Sequence, residues 1–194
     1  MKSLKGSKTE QNLIRLFALE SQDRNRYSYF SSQAKKEGFV QVAAIFEETA
    51  NQEKEHAKRL FKFFQGGNVE CTSSYPAYGA GGTTLDNLKM AVSQKEESFS
   101  FIYPEVARQA REEGFVDIAI VVEGLVLAEQ HQGRRFSALT AVLEAGQVFR
   151  RNEPVTWRCR NCGYVCHDYE APESCVACAH GQAHFEVLGE TFFE

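Results

Sequence analysis

Apolar residues recur at helical spacing through most of the first 145 positions, and polar punctuation divides them into four runs. Ser7 followed by Glu10 is a capping-box pattern that opens a helix over roughly residues 9–37, with Leu13, Phe17, Glu20, Tyr27 and Ala34 near one face. Gly38 stops it, and a second helix is expected from about Phe39 to Gln65, ending at Gly66-Gly67. A third starts near Thr83 or Thr84 and runs to about Glu113, with Pro104 inside it expected to kink it or distort one turn. Gly114 separates it from a fourth that ends near Ala145. Residues 66–83 are rich in glycine and small polar residues and read as a loop.

The pattern repeats. QAKKEGFVQVAAIFEETANQEKEHAKR at 33–59 matches QAREEGFVDIAIVVEGLVLAEQHQGRR at 109–135, with an offset of 76. The unit is a helical hairpin, so two copies make a four-helix bundle, and the long 66–83 loop serves as the overhand crossover of the ferritin-like type. The expected fold is therefore mainly α: a ferritin-like bundle over residues 1–146, a linker over 147–156 and a small metal-binding domain over 157–194. The last of these is too short to hold together by apolar burial alone.

Some polar residues sit on the wrong face. Phe46, Thr49, Ala50, Glu53, His56, Ala57 and Leu60 share one helical side, so a carboxylate and an imidazole point into an apolar stripe. An inward Glu-x-x-His on a bundle helix is a metal-site pattern. Under the repeat Glu53 maps onto Glu129, His56 onto Gln132, Glu20 onto Glu96 and Tyr27 onto Tyr103. Glu20, Glu53, His56 and Glu129 are candidate ligands from three helices, and Glu96 joins them if it turns inward. His131 and the Glu47/Glu123 pair are expected on solvated faces.

The cysteines concentrate in the tail. Cys159-x-x-Cys162 and Cys175-x-x-Cys178 form two knuckles that together make a tetrahedral four-sulfur site, for zinc or for iron. Cys71 and Cys166 are left over as free thiols, and His167, His180 and His184 as surface residues. The net charge of −4 gives no support to a nucleic-acid partner. No apolar run reaches the roughly 20 residues a membrane span needs, and MKSLKGSKTEQN lacks the apolar core of a signal peptide. A cytoplasmic protein is expected.

Taken together, LESQDRNRYSYF, ETANQEKEHAKRLFKF, YPEVARQAREEGF, WRCRNCGY and APESCVACAHGQAHFE resemble the rubrerythrin family over essentially the whole chain. The resemblance implies a rubredoxin-like tail with iron at Cys159, Cys162, Cys175 and Cys178. It also implies a carboxylate-bridged iron pair in the bundle, reduction of hydrogen peroxide with Tyr27 and Tyr103 near the reacting oxygens, a homodimer, and a partner reductase. Glu20, Glu53, His56 and Glu129 occupy the family's ligand positions. Counting back from Tyr103-Pro104, the positions of its Glu-x-x-Glu hold Lys95 and Ser98, and Gln132 replaces its second histidine. The expectation is one iron or other divalent ion in the bundle, or none, with Lys95 standing as a fixed cation. A bundle that serves only as a dimerising scaffold for an electron-carrying tail is the alternative.

Overall fold

The computed structural model describes residues 3–72, 74 and 82–189. The expected crossover loop, 66–83, lies only partly in this range; 73 and 75–81 fall outside it. The helices are α1 (Lys8–Lys36), α2 (Val40–Phe61), α3 (Thr84–Glu97), α4 (Tyr103–Glu112) and α5 (Val116–Glu144). A π-helical turn, Ser98–Ile102, joins α3 to α4 without a break in the backbone. Pro104 follows this turn closely, so the widened turn lies where the proline ring has no N–H to donate. The expected distortion takes the form of one π-helical turn, with one residue inserted.

Local chemistry sets the helix ends. Ser7 accepts a hydrogen bond from the Glu10 N–H at 3.0 Å, while Glu10 reaches back to the Gly6 N–H at 2.7 Å. Thr83 and Asp86 form a reciprocal capping box on α3. The two hairpin turns are built alike. Gly38 and Gly114 adopt φ of +83° and +81°, and the next residue's N–H returns to a carbonyl five positions back, Phe39 to Ala34 and Phe115 to Ala110, both at 2.8 Å. Each turn then caps the opposite hairpin. Glu113 accepts from the Thr9 N–H (2.8 Å) and the Lys8 N–H (3.2 Å), and Glu37 accepts from the Thr84 N–H (2.9 Å). Replacing Glu113 with alanine should cost about 1–2 kcal/mol, the usual value of a lost N-terminal cap. Urea unfolding should show it as a lower midpoint with an unchanged slope.

α1 packs along α2, and α3 and α4 pack along α5. The bundle interior has two apolar layers. One contains Leu13, Leu16, Leu60, Val106, Ile118 and Val122. The other contains Tyr27, Phe30, Phe46, Leu88 and Phe136. Glu20, Glu53, Lys95 and Glu129 are buried among these helices.

The tail forms a three-stranded antiparallel sheet of β1 (Arg150–Cys159), β2 (Val165–Glu170) and β3 (Phe185–Val187), with β1 in the centre. β1 starts inside the segment expected as a linker. Phe149 stacks on Phe39 (ring centroids 6.2 Å, planes within 9°), so the sheet rests on the turn between α1 and α2. The single tryptophan, Trp157, is fully buried and donates its indole N–H to the Asp168 carbonyl at 3.0 Å.

Candidate metal centres

The four cysteines converge as their spacing requires. Sγ of Cys159 lies 3.8 Å from that of Cys178, and Sγ of Cys162 lies 3.6 Å from that of Cys175. A tetrahedron with metal–sulfur bonds of about 2.3 Å has sulfurs about 3.8 Å apart. The residues therefore fit one tetrahedral ion. Backbone amides reach both knuckles: the His180 N–H draws the Cys178 thiol down to about 6, while the Tyr164 N–H directed at Cys162 is outweighed by the neighbouring thiols and burial, which push Cys162 up to about 12. The remaining thiols stand apart from this set, Cys71 exposed and Cys166 half-buried on β2.

In the bundle, Glu20, Glu53, His56 and Glu129 each bring one ligand atom to within 4.8 Å of the others. α1 supplies Glu20, α2 supplies Glu53 and His56 one turn apart, and α5 supplies Glu129. Nδ1 of His56 lies 3.2 Å from Glu53, 3.5 Å from Glu20 and 3.8 Å from Glu129. The His56 side chain is 14% exposed while the three carboxylates are at most 1% exposed, so access to the cluster is from the histidine side. The Tyr103 hydroxyl donates to Oε1 of Glu20.

Glu96 does not join them. It is exposed on the outer side of α3, and Lys95 points inward instead, with 0% of its side chain exposed. The π turn is the reason. Residues before it are offset by 75 from their partners in the first hairpin, as in Thr9/Thr84 and Glu20/Lys95. Residues after it are offset by 76, as in Tyr27/Tyr103, Glu37/Glu113, Glu53/Glu129 and His56/Gln132. In space, the counterpart of Glu20 is a lysine. His131, Glu47 and Glu123 are exposed, the last paired with Arg111.

Lys95 is fully engaged. Its Nζ donates to Oε1 of Glu53 at 3.0 Å and to both oxygens of Glu129 at 2.9 and 2.8 Å, and it lies 5.3 Å from the centre of the Tyr27 ring. Burial works against its charge, but Glu129 and Glu53 outweigh that and raise its pKa well above the usual lysine value. His56 is pushed up to about 10, its burial outweighed by hydrogen bonds to Glu20 and Glu53. Burial and the neighbouring Glu53 charge raise Glu20 far above a normal carboxyl. Burial would raise Glu53 too, but Lys95 and His56 hold it well below the carboxylate range. Glu129, farther from His56, rises to about 7 through burial.

Glu20, Glu53, His56 and Glu129 together could hold a metal ion. An ammonium has no lone pair to offer a metal, and Lys95 occupies oxygens of both carboxylates that a second ion would need. Sequence reasoning missed Gln52, whose Oε1 accepts from Gln132 Nε2 at 3.1 Å, and Asp23, which is buried one turn beyond Glu20. The helical period marks Asp23 as inward; nothing in the repeat marks Gln52.

The rubrerythrin family profile matches residues 11–140, and the profile of the rubrerythrin rubredoxin-like domain matches 157–186. The rubrerythrin of Nitratidesulfovibrio vulgaris is 51% identical over 97% of this chain and 98% of its own length. That of Porphyromonas gingivalis is 52% identical, covering 96% and 93%. A mixed-valence nigerythrin structure aligns over 96% of this chain and 89% of its own, with a TM-score of 0.61 and 26% identity. Among the described residues no helix is long and apolar enough to cross a membrane. Fold, both clusters and these likenesses agree: the chain belongs to the rubrerythrin family, non-haem iron proteins that join a carboxylate-lined bundle to a four-cysteine rubredoxin-like domain.

Proposed function

We propose that this chain is a rubrerythrin-type electron-transfer protein whose working centre is iron at Cys159, Cys162, Cys175 and Cys178, while its bundle site is cut down from two metals to one or none. The observation that carries this reading is the Lys95 ammonium hydrogen-bonded to Glu53 and Glu129. Iron held by the four thiolates supplies a one-electron couple. The knuckle amide at His180 favours the thiolate form of Cys178, and the sheet beneath fixes the sulfurs in place. Reducing hydrogen peroxide to two waters takes two electrons and two protons. A bundle without a metal pair lacks the two-electron store for that step. As in the family, a partner reductase would deliver electrons, and the chain would work as a homodimer in the cytoplasm.

A second reading, peroxide reduction, is favoured by the intact first half of the cluster. There Tyr103 donates to Glu20, and Glu20 lies beside the partly accessible His56. Rapid mixing of the reduced protein with peroxide separates the two. If the chain is a carrier, the four-cysteine iron is oxidised at the same slow rate, within about twofold, in the wild type and in Glu53→Ala. A loss of tenfold or more in the variant would overturn the carrier reading and establish a catalytic bundle.

A further inference from the structure

Departures from two-fold symmetry collect in one half of the bundle cluster. In the first half, Tyr103 finds Glu20 and His56 faces three carboxylates. In the second, Lys95 stands at the counterpart of Glu20 and Gln132 at that of His56. Two buried polar atoms there have no hydrogen-bond partner among the described residues: the Tyr27 hydroxyl, which pairs with Tyr103 under the repeat, and Oε1 of Gln132. The orphaned hydroxyl follows from the substitution, because an ammonium over the ring face offers no acceptor where the first half has a carboxylate. Glu53 and Glu129 are arranged as carboxylates shared between the two halves, with His56 on one side and Lys95 on the other.

We propose that Lys95 is the resident cation of the second half, and that it limits the bundle to one exchangeable divalent ion, held by Glu20, Glu53, His56 and Glu129. This rests on the reading above that the bundle takes fewer than two metals, and it names the residue responsible. The charges support it. One divalent ion plus one ammonium carries three positive charges, matching the three carboxylates. A second divalent ion would add charge beside a fixed ammonium at a place that offers only an amide oxygen and a phenol as new donors. An oxygen that accepts from Lys95 is also a weaker ligand for the single ion, so the lysine sets its affinity as well as its number.

Cobalt(II) is a suitable probe, added to the full-length protein after the four-cysteine site has been filled with iron. The wild type should take up one cobalt per chain in the bundle. Anomalous diffraction should put it beside His56, with no second peak near Lys95. Lys95→Met should bind the ion at least tenfold more tightly, because the competing hydrogen bonds and the repulsive charge are gone. Should that variant fail to fold without metal, Lys95→Gln serves for the same titration. Two cobalt ions in the wild-type bundle, none at all, or an affinity that neither substitution changes would overturn the proposal. A failed carrier reading would show separately, as peroxide-driven oxidation that Glu53→Ala abolishes while the cobalt count stays at one.

Discussion

In metal-free protein, Lys95→Met is expected to lower the unfolding free energy by about 3–5 kcal/mol, the usual cost of removing one partner from a buried ion pair. Methionine matches the length of the lysine stem, so little cavity is added and the loss is electrostatic. Glu53 and Glu129, at most 1% exposed, lose three hydrogen bonds and their nearest positive charge. Urea unfolding at neutral pH with a chelator, followed by the helical signal, measures the change. A loss below about 1 kcal/mol would mean that the carboxylates take up protons without strain and that the ammonium is not structural. Adding Glu129→Gln to the variant should recover part of the loss, because one stranded charge disappears. A purely packing defect would show no such coupling.

Cys175→Ser is expected to unfold the tail and leave the bundle standing. The sheet of β1 to β3 surrounds a small core in which Cys159 and Cys175 are themselves buried members. Structural metal at such sites contributes about 10–16 kcal/mol of apparent binding energy, which in a domain this small is folding energy. Trp157 is the only tryptophan and lies in that core, so its emission reports on the tail alone. The expected result is red-shifted emission with an almost unchanged helical signal. A helical signal that falls in step would show that the contact between Phe39 and Phe149 couples the two parts.

Much of the architecture is legible in the sequence because it is repeated. The hairpin offset for residues after the π turn, the inward Glu53 and His56, and the paired cysteine knuckles follow from periodicity and spacing, and the structure gathers these residues into two clusters. The third helical run defeats it. A constant offset of 76 turns Glu96 inward, and a single inserted residue in the π turn undoes this by rotating everything before it by one position. Hydrophobic pattern cannot see such an insertion, because Lys95 looks like any surface lysine until the register is known. Family resemblance, counting back from Tyr103-Pro104, gives the right residue because it carries the insertion implicitly. The reciprocal caps made by Glu37 and Glu113 were also hidden, since each contact joins residues from different hairpins.

A cation carried on a side chain has no dissociation constant. Its supply does not depend on uptake, on competing chelators or on the oxidation state of the surroundings. When metal is scarce, Lys95 still neutralises Glu53 and Glu129 inside the bundle, whereas a tail folded around an ion at its four cysteines would lose that ion. One chain thus combines a part whose folding would follow metal supply with a part that keeps one of its cations at all times. Under starvation the protein should persist as a folded helical body with a slack, protease-sensitive tail that regains its shape when metal returns.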